Sequence, residues 1–298
     1  MQNIIHLISG ATAVGKTEFS LKYAKENNAE IISCDATLVY QGMDIGTAKP
    51  TKDELDCVQH YCIDLHPIDE PFDIRLYNVY AQNAVKTILN KGKSVVVTGG
   101  SGFYLKSFFE PIIDSIEIPK SIRNQSKNLF LEKGLEGLKE ALKSASPEGL
   151  GNLDIFNPRR VQRALERCWA SGKSLPELQR EFLERPKPYE HLKKNHIHLE
   201  RDKDELKRRL EFRAEEMLKN GLIDEVKRLL TKGIEKNPNA ANAIGYSETI
   251  AFLKGSIPRD KLLPEIIKNT KRLVKKQKTW FRSQLPKADQ IVDMANEP

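Results

Sequence analysis

The sequence predicts an α/β protein, a parallel sheet flanked by helices and interrupted by an inserted all-helical subdomain. Three observations support this. Short apolar strand patterns alternate with helical patterns toward both ends of the chain. A glycine-bounded loop separates the first strand from the first helix. Between about residues 116 and 191 the strand signal disappears, while helical stretches punctuated by Gly and Pro continue. The implied boundaries are 1–115 for the first part of the core, 116–195 for the insertion and 196–298 for the remainder of the core.

Residues 4–9 form an apolar run that stops at Gly10, and 16–26 read as a helix. Residues 30–34, 94–98 and 196–199 are further strands, with a weaker strand pattern at 61–65. The insertion ends in the connector Arg185-Pro-Lys-Pro-Tyr189, stiffened by two prolines. Beyond the strand at 196, Asp202-x-x-Glu205 reads as a capping box opening a helix in which Leu206, Leu210, Met217 and Leu218 keep helical spacing. Near the end, Ile266, Leu273 and Trp280 recur every seven residues, as expected for one side of a helix on the core, with Trp280 and Phe281 as packing residues.

Composition narrows the function classes. The 298 residues are 39% hydrophobic and 30% charged, ordinary for a globular protein, and no apolar run is long enough to span a bilayer. A net charge of +7 favours a polyanionic partner. Cys34, Cys57, Cys62 and Cys168 make no Cys-x-x-Cys pair and no zinc spacing, and are expected as reduced thiols. The start of the chain lacks signal-peptide features, so the expected location is the cytoplasm, with no membrane association.

The segment Gly10-Ala11-Thr12-Ala13-Val14-Gly15-Lys16-Thr17 fits Gly-x-x-x-x-Gly-Lys-[Ser/Thr] and sits after a strand and before a helix, which makes the core P-loop NTPase-like. Backbone amides and the helix N-terminus favour phosphate oxygens there, Lys16 adds a cation, and the Thr17 hydroxyl suits a magnesium ion shared with the phosphates. Many NTPases place an acidic magnesium ligand at the end of a second apolar strand. Here Ser94-Val-Val-Val-Thr98 runs instead into Gly99-Gly100-Ser101-Gly102, which fits either close backbone approach to a ligand or a plain strand-to-helix turn. Asp35 ends the strand at 30–34 and belongs on the same sheet rim as the P-loop. On residue type alone its role is open between a general base, an outer magnesium ligand and a solvated turn aspartate.

The P-loop, Asp35, Asp44-Ile-Gly-Thr-Ala-Lys-Pro50, His60 and Gly99-Gly100 with Tyr104 resemble the tRNA dimethylallyltransferase family. The resemblance continues through Asn157-x-Arg159-Arg160-Val161-x-Arg163, Ile244-Gly245-Tyr246-x-Glu248 and Lys276-Gln277-x-x-Trp280-Phe281-Arg282, and so covers nearly the whole chain. It implies transfer of a dimethylallyl group from dimethylallyl diphosphate to the exocyclic amine of the tRNA adenosine at position 37, 3′ of the anticodon, with magnesium and without ATP as substrate. By this resemblance residues 10–17 and Arg213 hold the diphosphate, Thr17 ligates the metal, Asp35 is the catalytic base and Ser101 lies near the reacting centre, where the family usually has threonine. The family's Asp-Ser-x-Gln-x-Tyr is here Asp35-Ala36-Thr37-Leu38-Val39-Tyr40, so the side-chain contacts of that Ser and Gln cannot be carried over.

The partner implied is a tRNA anticodon stem-loop, whose target base must be unstacked to react. The resemblance assigns tRNA contacts to residues 35–38 (Asp35, Ala36, Thr37 and Leu38), Ser101, Arg123, residues 159–163 (Arg159, Arg160, Val161, Gln162 and Arg163), Ile244, Gly245 and Tyr246. Helical spacing puts Arg160, Arg163 and Arg167 on one side of their helix, and residues 268–282 carry seven basic side chains and no acidic one. Arg209 shares a helical face with Arg213, and the diphosphate role is assigned to Arg213 alone, with Arg209 on a solvated face. The enzyme is expected as a monomer. A nucleoside or metabolite kinase, an RNA-binding protein without activity and an isopentenyltransferase of free adenine nucleotides are the alternatives the residues leave open.

Overall fold

The structure, a computed structural model, describes residues 4–295. Its elements in chain order are β1 (Ile4–Gly10), α1 (Lys16–Glu26), β2 (Ala29–Ser33), α2 (Lys52–Cys57), β3 (His60–Tyr61), α3 (Ile74–Asn90), β4 (Ser94–Thr98), α4 (Gly102–Lys106), α5 (Lys120–Ala145), α6 (Pro158–Ser171), α7 (Leu175–Leu183), β5 (Lys193–Glu200), α8 (Lys203–Lys219), α9 (Leu222–Thr231), α10 (Pro238–Ala241), α11 (Tyr246–Leu253), α12 (Arg259–Gln284) and β6 (Gln290–Asp293). The weak strand pattern at 61–65 contracts to the two residues of β3.

The six strands form one sheet in the order β3-β2-β4-β1-β5-β6 with every pairing parallel. Parallel strands covered on both faces read as continuous apolar runs. Accordingly Ile5, Leu7, Ile8, Ile31, Ile32, Val95, Val96 and Val97 are all essentially inaccessible. The register pairs Leu7 with Val97 on one side and with His196 on the other, bringing the carboxyl ends of β1, β2 and β4 to one rim. Ligands of open α/β sheets bind at such a rim.

The chain divides into two compact units, one of residues up to Glu110 and from Pro188 onward, the other Pro111–Lys187. The second unit holds α5, α6 and α7 around its own core of Leu138, Leu142, Val161, Leu165, Leu175 and Leu178. The sequence boundary of 116–195 thus reaches too far at its carboxyl end. Residues Lys193, Lys194 and Asn195 extend β5 along Ile4, Ile5 and His6, a pairing partner that their own polar composition does not reveal.

Helix starts follow local chemistry. Asp73 caps α3 through the amides of Arg75 and Leu76, and Asn157 caps α6 through those of Arg159 and Arg160. Asp202 caps α8 through the amides of Asp204 and Glu205, but the reciprocal half of the expected box is missing, because the Glu205 carboxylate pairs with Arg201. In α12 the buried stripe is Leu262, Ile266, Val274, Gln277 and Phe281, while Leu273 and Trp280 are only partly covered. The helical period of 3.6 shifts the stripe off a strict seven-residue repeat. All four cysteines are free.

Candidate active site

The loop between β1 and α1 curls as its glycines require. A Cβ on Gly10 would stand 3.0 Å from the Leu199 carbonyl oxygen, and Gly15 takes a φ of 115° at the N-cap of α1. Ala13 is left-handed as well, at φ 65°, a conformation costly for a residue with a side chain and held here by the surrounding loop. Lys16 turns back over the loop, its Nζ donating to Gly10 O at 2.9 Å and Ala11 O at 2.8 Å. Burial pulls its pKa down to about 8; the Arg213 guanidinium pushes the same way and the Asp35 carboxylate opposes it.

Asp35 leaves the end of β2 and faces that loop. Its Oδ1 accepts from the Thr37 amide at 2.9 Å and the Thr37 hydroxyl at 2.7 Å, which orients the carboxylate. Ser101 clasps the residues on either side of Asp35. Its amide donates to Cys34 O at 3.1 Å, and its Oγ accepts from Ala36 N at 2.9 Å. Glycine is obligatory two residues before it, since a Cβ on Gly99 would lie 2.0 Å from the Cys34 carbonyl oxygen. The segment after β4 is thus a close backbone approach, the first of the two readings left open.

A cavity of about 450 Å³ opens at this rim. Lys16, Thr17, Asp35, Gly100, Arg209 and Arg213 are among its lining residues, with Leu38, His60 and the largely exposed ring of Phe212. Arg213 is held by a hydrogen bond from Nη2 to Thr47 O at 3.0 Å, and burial lowers its pKa while Asp35 supports the charge. Arg209 is exposed, as its place on a solvated face predicts, but it also has a contact that the sequence does not reveal. One helical turn before Arg213, its Nε donates to Ala13 O at 3.1 Å, so Arg209 reaches the phosphate loop while both guanidiniums line the cavity.

Other side chains build the walls. The motif from Asp44 to Pro50 forms a loop whose amides at Asp44, Ile45 and Gly46 donate to the buried Glu225 carboxylate. The Tyr246 hydroxyl donates to Glu225 Oε1 at 2.6 Å, and burial beside that carboxylate raises the phenol pKa far above its usual value. A Cβ on Gly46 would meet the Tyr246 ring at 2.4 Å. Lys49 is engaged by Asp44 at 2.6 Å and by Asp64, so it works as a strap of this loop.

The residues expected from the sequence to contact tRNA differ in exposure. Tyr246 and Val161 are fully buried, so their side chains present nothing to RNA, and Gly245, which has no side chain, is buried beside Tyr246. Val161 packs in the core of the second unit and Tyr246 anchors the Asp44 loop. Gln162 is half-buried, its Nε2 donating to Ser126 Oγ at 2.9 Å, and Ile244 is half-buried against the main core. Arg123, Arg159, Arg160 and Arg163 are exposed. Arg163 pairs with Glu166 at 2.5 Å, Arg160 with Asp154 at 3.5 Å, and Arg167 with Asp114, which takes Arg167 out of the free basic face. Along α12, Lys268 pairs with Glu265 and Lys271 with Glu211, so part of that basic stripe is neutralised by residues outside it.

Two residues of the site were not read from the sequence as functional. Glu225 falls on the buried stripe of α9 with Leu222, Val226 and Leu229, and Gln277 on that of α12. A polar residue at the spacing of an apolar face is the signal for both.

Comparison with known proteins agrees with this architecture. The family model described as IPP transferase matches residues 38–284. A tRNA dimethylallyltransferase of Opitutus terrae is 48% identical over 282 residues, covering 95% of this chain and 91% of its own. One of Syntrophomonas wolfei is 38% identical, covering 92% and 87%. Among solved structures, the tRNA isopentenylpyrophosphate transferase of Bacillus halodurans superposes with a TM-score of 0.70 at 31% identity, over 99% of this chain and 90% of that one. A eukaryotic dimethylallyltransferase acting on tRNA shares the fold, with a TM-score of 0.82 at 22% identity. With its phosphate loop, its rim aspartate and a family match that begins just after them and runs almost to the end of the chain, this protein belongs to the IPP transferase family, the tRNA dimethylallyltransferases.

Proposed function

We propose that this protein moves the dimethylallyl group of dimethylallyl diphosphate onto the exocyclic amine of adenosine 37 in a tRNA anticodon loop, releasing diphosphate. The observation that carries this reading is the convergence of Lys16, Arg213 and Asp35 on one cavity, two cations for a leaving group and one carboxylate for a proton. The diphosphate lies in the loop Gly10–Thr17, stabilised by its amides and the N-terminus of α1. As the carbon–oxygen bond breaks, negative charge grows on the leaving oxygen and Lys16, Arg209 and Arg213 oppose it. The adenine amine is a weak nucleophile because its lone pair is delocalised into the ring. Asp35, oriented by Thr37, takes its proton as the new carbon–nitrogen bond forms. Ser101 acts through its clasp on the Asp35 segment.

Magnesium fits the donor set in one manner. Thr17 is exposed at the cavity, and among the described residues no cluster of three His, Cys, Asp or Glu could hold a metal by itself. Such a site suits an ion that takes most of its oxygens from the diphosphate and water, as Mg²⁺ does, with the Thr17 hydroxyl as the protein ligand. Bound there, it would add further positive charge against the leaving diphosphate.

Contacts to the tRNA are assigned, within the second unit, to the exposed arginines Arg123, Arg159, Arg160 and Arg163 and, within the first unit by itself, to lysines of α12 and to residues 36–38 for the target base. Leu38 offers that base an apolar contact instead of a hydrogen bond. The reading extends to a monomeric enzyme of the cytoplasm, a compartment in which thiols such as the four free cysteines stay reduced. The test is incubation with magnesium, dimethylallyl diphosphate and tRNA from cells lacking the modification, followed by digestion and mass spectrometry of the nucleosides. Dimethylallyl adenosine beside the anticodon is the expected product; tRNA that binds but gains no mass refutes the proposal.

A further inference from the structure

Gln277 on α12 is 9% exposed and sits between the two loops that carry the chemistry. Its Oε1 accepts from the Thr12 amide at 2.9 Å, and its Nε2 donates to Gly100 O at 3.0 Å. Only one orientation of the side-chain amide satisfies both, because a backbone N–H must meet the oxygen and a backbone carbonyl must meet the nitrogen. The fit leaves no slack, since a Cβ on Gly100 would come within 2.8 Å of Nε2. The helix itself is anchored by buried Ile266, Val274 and Phe281, and the Trp280 ring occupies the space where a Cβ on Gly102 would stand.

From this side chain the bonds run both ways. Toward the phosphate loop, Thr12 lies four residues before Lys16. Toward the base, Gly100 precedes Ser101, which holds Cys34 and Ala36 on either side of Asp35. One amide therefore ties the loop that would hold the leaving group to the loop that positions the base. We infer that Gln277 is a positioning residue of the transfer reaction, setting the separation between the diphosphate cradle and Asp35; this rests on the function proposed above. A neutral side chain with one donor and one acceptor is required at this point, and displacement of about 1 Å between reacting groups costs on the order of a hundredfold in rate.

Gln277→Glu separates this role from simple packing. The carboxylate keeps an acceptor for Thr12 but sets a second oxygen against Gly100 O; protonated, it regains a donor in the same place. Single-turnover transfer by wild type and variant is measured from about pH 5.5 to 8.5, with KM for dimethylallyl diphosphate, tRNA affinity and thermal melting in parallel. The expected result is a rate deficit of roughly 10- to 100-fold at the alkaline end that shrinks as the pH falls, with tRNA affinity unchanged and the variant, though its melting temperature is lowered by the buried carboxylate, still folded at the assay temperature. A variant rate equal to wild type, or a deficit that is constant with pH, overturns the role of Gln277 while active wild type keeps the functional reading. Wild type that transfers nothing to tRNA overturns that reading and the inference built on it.

Discussion

Lys16 carries a measurable cost as well as a function. In the folded protein burial holds its pKa at about 8, against 10.5 for the unperturbed side chain. Between those values the unfolded chain binds more protons than the native one, so stability rises with pH through this window. The deficit is full below about pH 8 and is gone above about 10.5. At 1.36 kcal/mol per pH unit, it amounts to about 3 kcal/mol at neutral pH, of which about 2 kcal/mol is relieved between pH 7.5 and 9.5. Lys16→Met removes the titrating group. Lost hydrogen bonds to Gly10 O and Ala11 O shift its stability by an amount that does not vary with pH, and other titrating groups cancel in the comparison. The chain has two tryptophans, Trp169 and Trp280, so a Trp169→Phe background makes Trp280 fluorescence a reporter of the unit containing the site. Urea unfolding in that background at the two pH values should show the parent gaining about 2 kcal/mol on the Lys16→Met variant as pH rises. A difference that stays constant from pH 7.5 to 9.5 refutes the reasoning, since Lys16 would then titrate alike in both states.

Three further outcomes follow from the site. Asp35→Asn should lower transfer by about 10²- to 10⁴-fold, the range of a lost general base, with tRNA affinity retained in filter binding; near-normal turnover would exclude Asp35 as the base. Arg159→Ala should weaken tRNA binding and reduce the slope of log affinity against log salt by about 1, without changing the single-turnover rate at saturating tRNA; an unchanged slope would remove Arg159 from the phosphate contacts. Tyr246→Phe should destabilise by about 1–3 kcal/mol, because the buried Glu225 carboxylate loses a donor, and should leave tRNA affinity as it was; weaker RNA binding without lower stability would return Tyr246 to the interface.

The contiguous parts of this protein were determined by sequence alone. A phosphate loop is made of neighbours, so Gly10, Gly15, Lys16 and Thr17 declare it wherever a strand precedes and a helix follows, and β1, β2 and β4 are mainly apolar because both sheet faces are covered. Asp35 at the end of β2 was legible for the same reason, since chain direction in a parallel sheet sends every strand end to one rim. What tertiary structure decided lies in contacts between distant residues. Thr12 and Gln277 are 265 positions apart, Ile45 and Glu225 are 180 apart, and neither partner's local pattern names the other. The same limit explains Tyr246 and Val161, which sit in segments resembling the family's RNA-contacting motifs yet turn inward. Burial is set by what packs across from a side chain, and that partner comes from elsewhere in the chain.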